Sequence, residues 1–387
     1  MSLPDSYKIR TVSLDHASDL VPPWADLVGG LTPTTFHFPD PGWLQACFAR
    51  NAADLSLIAL EDGARTVGVL PVLACRWPLD YALGGVALGT RAVSCLRVLG
   101  GVPALPENAE VCRDLLWETL RRSDGRVLYL ENIPVDAFLW KDVCQGRAGA
   151  PFRCYRLREP EPRYYIRVEG SIEDYLARFS AKTRKNRLRE ARRLADAAAT
   201  SVVRISQPAE VDAFVDAASA ISRRTYQYRD LGLGVNDVEL FRGRLVHAAA
   251  RGWLRSYLLT CNGAPAAFVI GYQYNRTYYY SNVGYVPEWS PYSVGSVLLL
   301  EVLRDLHADN SPAMVDFGPG GGYKEYYSTG SYAEVDAILY QPTPKVTAAI
   351  GFHHACRVAN RKGAKVLDLF NMRAAVKRMF KPTLPRG

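Results

Sequence analysis

Apolar residues recur along this chain with two periods, about two in some stretches and about 3.6 in others, and each change of period marks an element. The clearest run lies between Ala266 and Thr329. AAFVIGYQY predicts a strand, Asn275-Arg276-Thr277 turns it, and YYYSNVGYV returns as a second, aromatic strand. Ser290-Pro291-Tyr292-Ser293 then stops the extended chain, and Gly295-Ser296 opens a helix, VLLLEVLRDL, that ends near Asn310-Ser311-Pro312. A buried strand, AMVDFG, runs from there into DFGPGGGYKEYYST. A helix that starts directly after a strand offers free backbone N–H groups to a phosphate or another anion.

The same order occurs twice. In the first half PGWLQACFARNA predicts a helix, and DLSLIAL, the turn Glu61-Asp62-Gly63 and RTVGVLPVLA predict a hairpin. NAEVCRDLLWETLRRS follows as an amphipathic helix and GRVLYLENI as a strand. In the second half IEDYLARFSAKTRKNRLREARRLADAA predicts one long helix, PAEVDAFVDAASAISRRTY another, and GWLRSYLLTCNGAPAAFVIGYQY a hairpin with Asn262-Gly263 at its turn. Two hairpin-centred units suggest a duplication, and REPEPR, residues 158–163, suggests the boundary. The expected class is mixed α/β: a first domain over 1–160, a second over 161–340 and a basic tail over 341–387.

Size agrees with that division, since 387 residues with 48% hydrophobic content suffice for two cores of roughly 150 residues each. Eight cysteines are scattered without CxxC pairs, which points to reduced thiols, a reducing compartment and no zinc site. The first twenty residues lack an apolar core, and no run reaches the roughly 18 apolar residues that span a bilayer, so a cytoplasmic location is expected.

Charge changes the picture. The net charge of +8 is concentrated in the tail, where ten Lys/Arg stand against Asp368 alone, leaving 37 basic to 38 acidic residues elsewhere. Val366, Leu367, Leu369, Phe370, Met372, Val376, Met379 and Phe380 accompany those cations. Such a segment suits a helix lying on anionic lipid, a helix packed on its own domain, or a polyanion contact. A second basic run, eight residues between Arg178 and Arg193, has only Glu190 as an acidic neighbour. Leu176, Phe179, Leu188, Ala191 and Leu194 form its predicted apolar face. Its outer face is either solvated or a patch for an acidic substrate, a phospholipid surface or RNA.

Several strings together resemble the GNAT-like acetyltransferase family with tandem Fem-type halves, a group associated with cellulose and exopolysaccharide proteins. They are FHFPDPGWLQACF, VGVLPVLA, LRVLGG, YLARFSAKTRKNRLREARRL, APAAFVIGYQYNRTYYYSNVGYVPEWSPYSVGSVLLLEVL and VDFGPGGGYKEYYST, spread over residues 35–335. The resemblance implies two GNAT-like domains, each a mostly antiparallel sheet flanked by helices, with chemistry in the second and a degenerate first. In such enzymes Q/R-x-x-G-x-G/A wraps the pyrophosphate of acyl-CoA. The matching positions here are Tyr292, Ser293, Val294, Gly295, Ser296 and Val297, so Gly295 is kept while Tyr292 and Val297 depart from the pattern. Fem-type relatives use aminoacyl-tRNA instead, which the basic run would suit.

The implied reaction is attack of an amine on a thioester, needing a base, oxyanion donors and an acid for the thiolate. The resemblance sets the acyl carbonyl against the backbone from Asn282 to Tyr285 and makes Tyr323 the acid, ahead of Tyr326 and Tyr327. Glu288, Asp316 and Glu325 are base candidates, and Lys324 pairs with a phosphate or with Asp316. Arg223, Arg224, Tyr226 and Gln227 would border the acceptor. His247, His353 and His354 gain no catalytic role from their positions. No metal is expected. The leading expectation is an acyl-CoA-dependent N-acyltransferase acting on an amine of a cell-envelope lipid or sugar precursor, with a sphingoid-type base and a ceramide-like product as its narrowest form. The alternatives are a Fem-like aminoacyl-tRNA-dependent transferase and a non-catalytic polysaccharide accessory protein.

Overall fold

The computed structural model describes residues 6–29, 38–84, 86–100, 108–145, 152–225, 234–309 and 311–369, with side chains up to 362. Thirteen strands form one continuous sheet. In the first half these are β1 (Tyr7–Ser13), β2 (Leu55–Asp62), β3 (Arg65–Leu83), β4 (Val86–Val98), β5 (Val127–Pro134) and β6 (Arg153–Arg156). In the second they are β7 (Glu161–Arg167), β8 (Thr200–Ile205), β9 (Ser256–Cys261), β10 (Ala264–Tyr274), β11 (Thr277–Tyr285), β12 (Met314–Pro319) and β13 (Gly330–Tyr340). Helices α1 (Val21–Gly29), α2 (Pro41–Cys47), α3 (Ala109–Arg122), α4 (Ile172–Ala177), α5 (Ala181–Ala197), α6 (Val211–Arg223), α7 (Val238–Ala250), α8 (Val294–Asp309), α9 (Gly322–Tyr327) and α10 (Pro344–Leu369) lie on its two faces.

Local turn chemistry sets the hairpins. Asn275 and Arg276 both take positive φ, as a two-residue turn between right-twisted strands requires, and Asn262-Gly263 does the same between β9 and β10. Each half then repeats one move. An antiparallel meander passes through a helix and returns as a parallel strand, β4 to β5 through α3 and β11 to β12 through α8. Each parallel pairing lasts only three residues, Leu96–Val98 against Leu128–Leu130 and Thr277–Tyr279 against Met314–Asp316.

The halves are joined by strand exchange. β13, late in the chain, lies between β5 of the first half and β7 of the second, antiparallel to both. Helix α2 is also shared. Its Trp43 packs with Phe38, Tyr272 and Trp253, and its N-cap Asp40 meets His247 at 3.0 Å and Arg251 at 2.6 Å. His247 is thus a packed, paired side chain.

The long helix predicted over 172–198 is two helices. Ser180 caps α5 by accepting from the Thr183 amide at 3.2 Å, a local alternative to continuous helix. Leu188, placed by its spacing on the apolar face, is 50% exposed, whereas Leu194 is buried in the core and Ala191 packs against it. The tail begins as α10, whose Ala349 and Ile350 are buried beside Leu79, Cys95 and Tyr340. Side chains of the apolar tail residues from Val366 onward lie outside the described residues. No described helix is long and apolar enough to cross a membrane.

At the seam Arg163 of β7 is buried between two carboxylates. It grips Asp316 of β12 through Nε at 3.0 Å and Nη2 at 2.6 Å, and reaches Glu334 of β13 at 3.3 Å. Removing one member of such a cluster leaves an uncompensated buried charge. Arg163→Ala is therefore expected to lower the unfolding free energy by about 3–5 kcal/mol in chemical denaturation, and an unchanged midpoint would show that the cluster does not hold the seam.

Candidate functional site

The second half opens where its parallel strands part. Beyond Tyr279 and Asp316, β11 and β12 share no ladder bonds, and the wedge between them is filled from both sides by side chains. One face holds a cleft of about 520 Å³ lined by Phe268, Tyr280, Val283, Tyr285, Leu298, Tyr323 and the start of α8. On the other face is a polar cavity of about 430 Å³ whose walls include Arg97, Glu131, Arg163, Tyr279, Asp316 and Lys324. Tyr280 borders both, edge-on to Phe317 at 5.2 Å between ring centroids.

Two backbone features face the apolar cleft. Ile270 pairs with Asn282 but Gly271 with Tyr280, so Ser281 is an extra residue that bulges β11 at the point of parting. Next, Ser293 takes a left-handed conformation (φ 56°, ψ 36°) and its carbonyl accepts from the Ser296 and Val297 amides at 2.9 and 3.0 Å. The first amides of α8, at Val294 and Gly295, therefore point out of the helix start with no carbonyl one turn behind them. A Cβ on Gly295 would lie 3.3 Å from the Tyr285 ring, so glycine keeps this passage open.

The matching helix of the first half is closed. The Asn108 side chain accepts from the Glu110 and Val111 amides at 3.1 and 3.2 Å, and Glu110 adds negative charge to the first turn. Helix α8 has no acidic residue in its first turn. Of these two matched helices, α8 presents the start suited to an anion.

Tyr323 stands at the cleft mouth, 43% exposed yet walled on most sides, and this partial burial pushes its hydroxyl up to about 12. The hydroxyl remains protonated at neutral pH. Lys324, one residue on, faces the polar cavity, where its ammonium donates to the Pro319 carbonyl at 2.9 Å and burial lowers its pKa. Asp316 shares that cavity, held by Arg163 and accepting from the Gly318 amide at 2.8 Å. Arg97 binds Glu131 at 2.5 Å, and burial raises the carboxyl pKa of Glu131. The Tyr279 hydroxyl is buried there with no hydrogen-bond partner among the described residues.

The remaining sequence candidates are dispersed. Ser293, Val294, Gly295, Ser296 and Tyr285 line the apolar cleft. Tyr292 is outside its wall, stacked under Arg193 at 5.7 Å. Asn282 accepts from the Ser281 hydroxyl at 3.0 Å beside the bulge. Glu288 is exposed and paired with Arg224 at the rim, next to Pro287 and Thr225, which do line the cleft. Arg223 is exposed at the end of α6, and Glu325 lies on α9. Tyr226 and Gln227 lie outside the described residues. Sequence reasoning missed Arg163, Glu131, Arg97 and the Ser281 bulge, since none carries a local motif. Among the described residues no three His, Cys, Asp or Glu side chains converge on a metal-sized site.

Helix α5 flanks the cleft from outside. Arg187 lies over the Tyr326 and Tyr327 rings at 5.7 and 5.6 Å, while Lys182, Lys185, Arg189 and Arg192 are exposed. A cationic shelf therefore adjoins the open helix start.

Residues 181–327 match the acetyltransferase (GNAT) domain family. No curated protein matches the chain in sequence. Among solved structures, FemX is similar at 12% identity over 86% of this chain and 97% of its own, with a TM-score of 0.59. The C-terminal domain of a putative lysylphosphatidylglycerol synthetase from Agrobacterium fabrum gives 12% identity, 87% and 95% coverage and a TM-score of 0.52. A conserved Bacteroides thetaiotaomicron protein of unknown function gives 11%, 86% and 99%, and 0.53. The fold these three share runs through both halves, while the match to the acetyltransferase (GNAT) domain family falls on residues 181–327, the half with the open helix start and Tyr323.

Proposed function

We propose that this protein is an acyl-CoA-dependent N-acyltransferase whose acceptor is an amine on a cell-envelope lipid or sugar precursor. The observation that carries the reading is the conjunction, in one wedge, of an open helix start, a bulged strand and a protonated tyrosine. The amides of Val294 and Gly295 would hold the donor's pyrophosphate. The β11 backbone at Ser281 to Tyr285 would orient the acyl carbonyl and meet the developing oxyanion. Tyr323 would give its proton to the departing thiolate as the amine nitrogen bonds to the acyl carbon and the carbon–sulfur bond breaks. The proton shed by the amine leaves through solvent.

The acceptor would enter from the polar cavity. Asp316 already accepts from Arg163 and Gly318, which suits it to orienting an ammonium group more than to removing its proton. Lys324 and Arg97 supply positive charge for an acidic group on the same acceptor. Arg223, Arg224 and Glu288 would contact whatever projects from the rim. The apolar lining of the cleft is compatible with a long acyl chain and hence with the narrower sphingoid reading, without selecting it.

One observation favours a second reading. The cationic shelf of α5 beside the cleft would also suit the phosphates of an aminoacyl-tRNA. Incubation with acyl-CoAs from acetyl to long-chain, with free-thiol release as readout, separates the two. Chain-length-dependent release supports the proposal. No release with any CoA, together with RNase-sensitive transfer, would replace it with the second reading.

Tyr323→Phe is expected to lower kcat by about 100-fold with little change in KM. Full turnover in this variant would remove Tyr323 from the acid role. Because its raised pKa keeps the proton in place until pH approaches about 12, wild-type kcat should show no alkaline fall from this group below about pH 11. Gly295→Asp sets a carboxylate at the helix start. That charge favours the helix but repels the donor, so KM for acyl-CoA should rise at least about tenfold while the melting midpoint holds.

A further inference from the structure

The hairpin of β3 and β4 continues far beyond the sheet that carries it. The two strands pair from Val72 and Val98 out to Leu83 and Val86, yet β5 pairs with β4 only at Leu96, Arg97 and Val98. The ten residues of β4 outside that pairing extend about 30 Å at an ordinary strand rise. Helix α10 braces one side. The Tyr81 hydroxyl donates to the Ala349 carbonyl at 3.4 Å, and Tyr81 meets Phe352 edge-on at 4.8 Å. Asn360 bonds the end of β3 twice near the turn, accepting from the Gly84 amide at 2.7 Å and donating to the Ala82 carbonyl at 2.8 Å.

The tip has the wrong surface for water. Leu83, Val86 and Leu88 are 46%, 49% and 52% exposed, and Phe352 beside them is 51% exposed. The stretch Tyr81–Thr90 carries no charge, and Asp80 is the only acidic residue between Arg65 and Val98. The surrounding charge is positive. Arg76 and Arg91 on the hairpin and Arg361 and Lys362 on α10 are exposed.

We propose that the β3–β4 tip and α10 form one docking surface for a bilayer containing anionic lipid. Leu83, Val86 and Leu88 enter the headgroup boundary while the cations beside them face the phosphates. Charge complementarity selects lipid: an apolar tip surrounded by cations needs a partner that is apolar inside and anionic at its surface. The proposal rests on the reading that the acceptor is a cell-envelope molecule met at a membrane. It is measured without turnover, so its failure leaves the transfer chemistry standing.

The test is co-sedimentation of the full chain with vesicles of equal parts phosphatidylglycerol and phosphatidylcholine, beside vesicles of phosphatidylcholine alone. Wild type should sediment with the first and not the second. Leu83→Asp with Leu88→Asp should cut the bound fraction at least about tenfold, and Arg361→Glu with Lys362→Glu should weaken it in the same direction. Leu88→Ser, a milder change, checks that a loss is not misfolding, with the thermal midpoint measured for every variant. Three results would overturn the proposal. They are no wild-type binding, binding insensitive to the leucines but lost with the cations, as for a general polyanion surface, or self-association through the tip without vesicle binding.

Discussion

Three charged groups buried at one point hold this fold in register. Arg163, Asp316 and Glu334 come from strands far apart in sequence, and none has water to return to. Desolvating them is costly, and only mutual pairing offsets that cost. Pairing is available in a single arrangement of strands, with β7 between β12 and β13. A one-residue slip of any of the three would turn its charged side chain to the opposite face. The cluster therefore acts on specificity more than on net stability. It also falls where the sheet opens, since Asp316 is the last residue of the short parallel ladder before β11 and β12 part.

From that point the two halves differ by a few atoms. Both have a meander, a helix and a three-residue parallel pairing. In the first half the Asn108 side chain fills the helix start and Glu110 makes it negative; in the second a left-handed Ser293 and Gly295 leave the start open. The two helix starts thus differ in side-chain capping, which fills the first and leaves the second open. The first half nonetheless contributes to the second, because Arg97 and Glu131 form part of the polar cavity and α2 closes the far face.

Much of this was legible wherever the signal was local. Asn275-Arg276 and Asn262-Gly263 mark turns through their own backbone preferences, and the apolar pattern of residues 297–306 marks α8 wherever it packs. Ser180 was equally local, but its capping role was hidden among helix-forming neighbours on both sides. Leu188 shows the limit of periodicity, since a helical face is buried only if another element covers it. The seam was not legible at all. Arg163 and Asp316 are 153 residues apart, and nothing near either names the other. Tyr323 and Lys324 present the subtlest case. They are adjacent in sequence and were read as parts of one site, yet successive residues on a helix diverge by about 100°, and α9 sits so that they face opposite sides of the sheet.

That divergence bears on how much of the basic shelf a donor can use. Of the eight basic residues from Arg178 to Arg193, Arg178 donates to the Tyr327 and Ser328 carbonyls and Arg184 to those of Ala177 and Phe179. Arg187 and Arg193 lie over tyrosine rings, and Arg187 also pairs with Glu190 at 2.6 Å. These four are largely committed to contacts within the protein. Lys182, Lys185, Arg189 and Arg192 keep their charge toward solvent, a set small enough for a compact polyphosphate and modest for a long nucleic-acid track, which gains affinity in proportion to the phosphates it neutralises. Arg187, fixed over Tyr326 and Tyr327, packs α5 against α9, the helix that also bears Tyr323. The positive charge of α5 thus has two parts, arginines packed against tyrosines and a solvent-facing set whose field extends over the open end of α8.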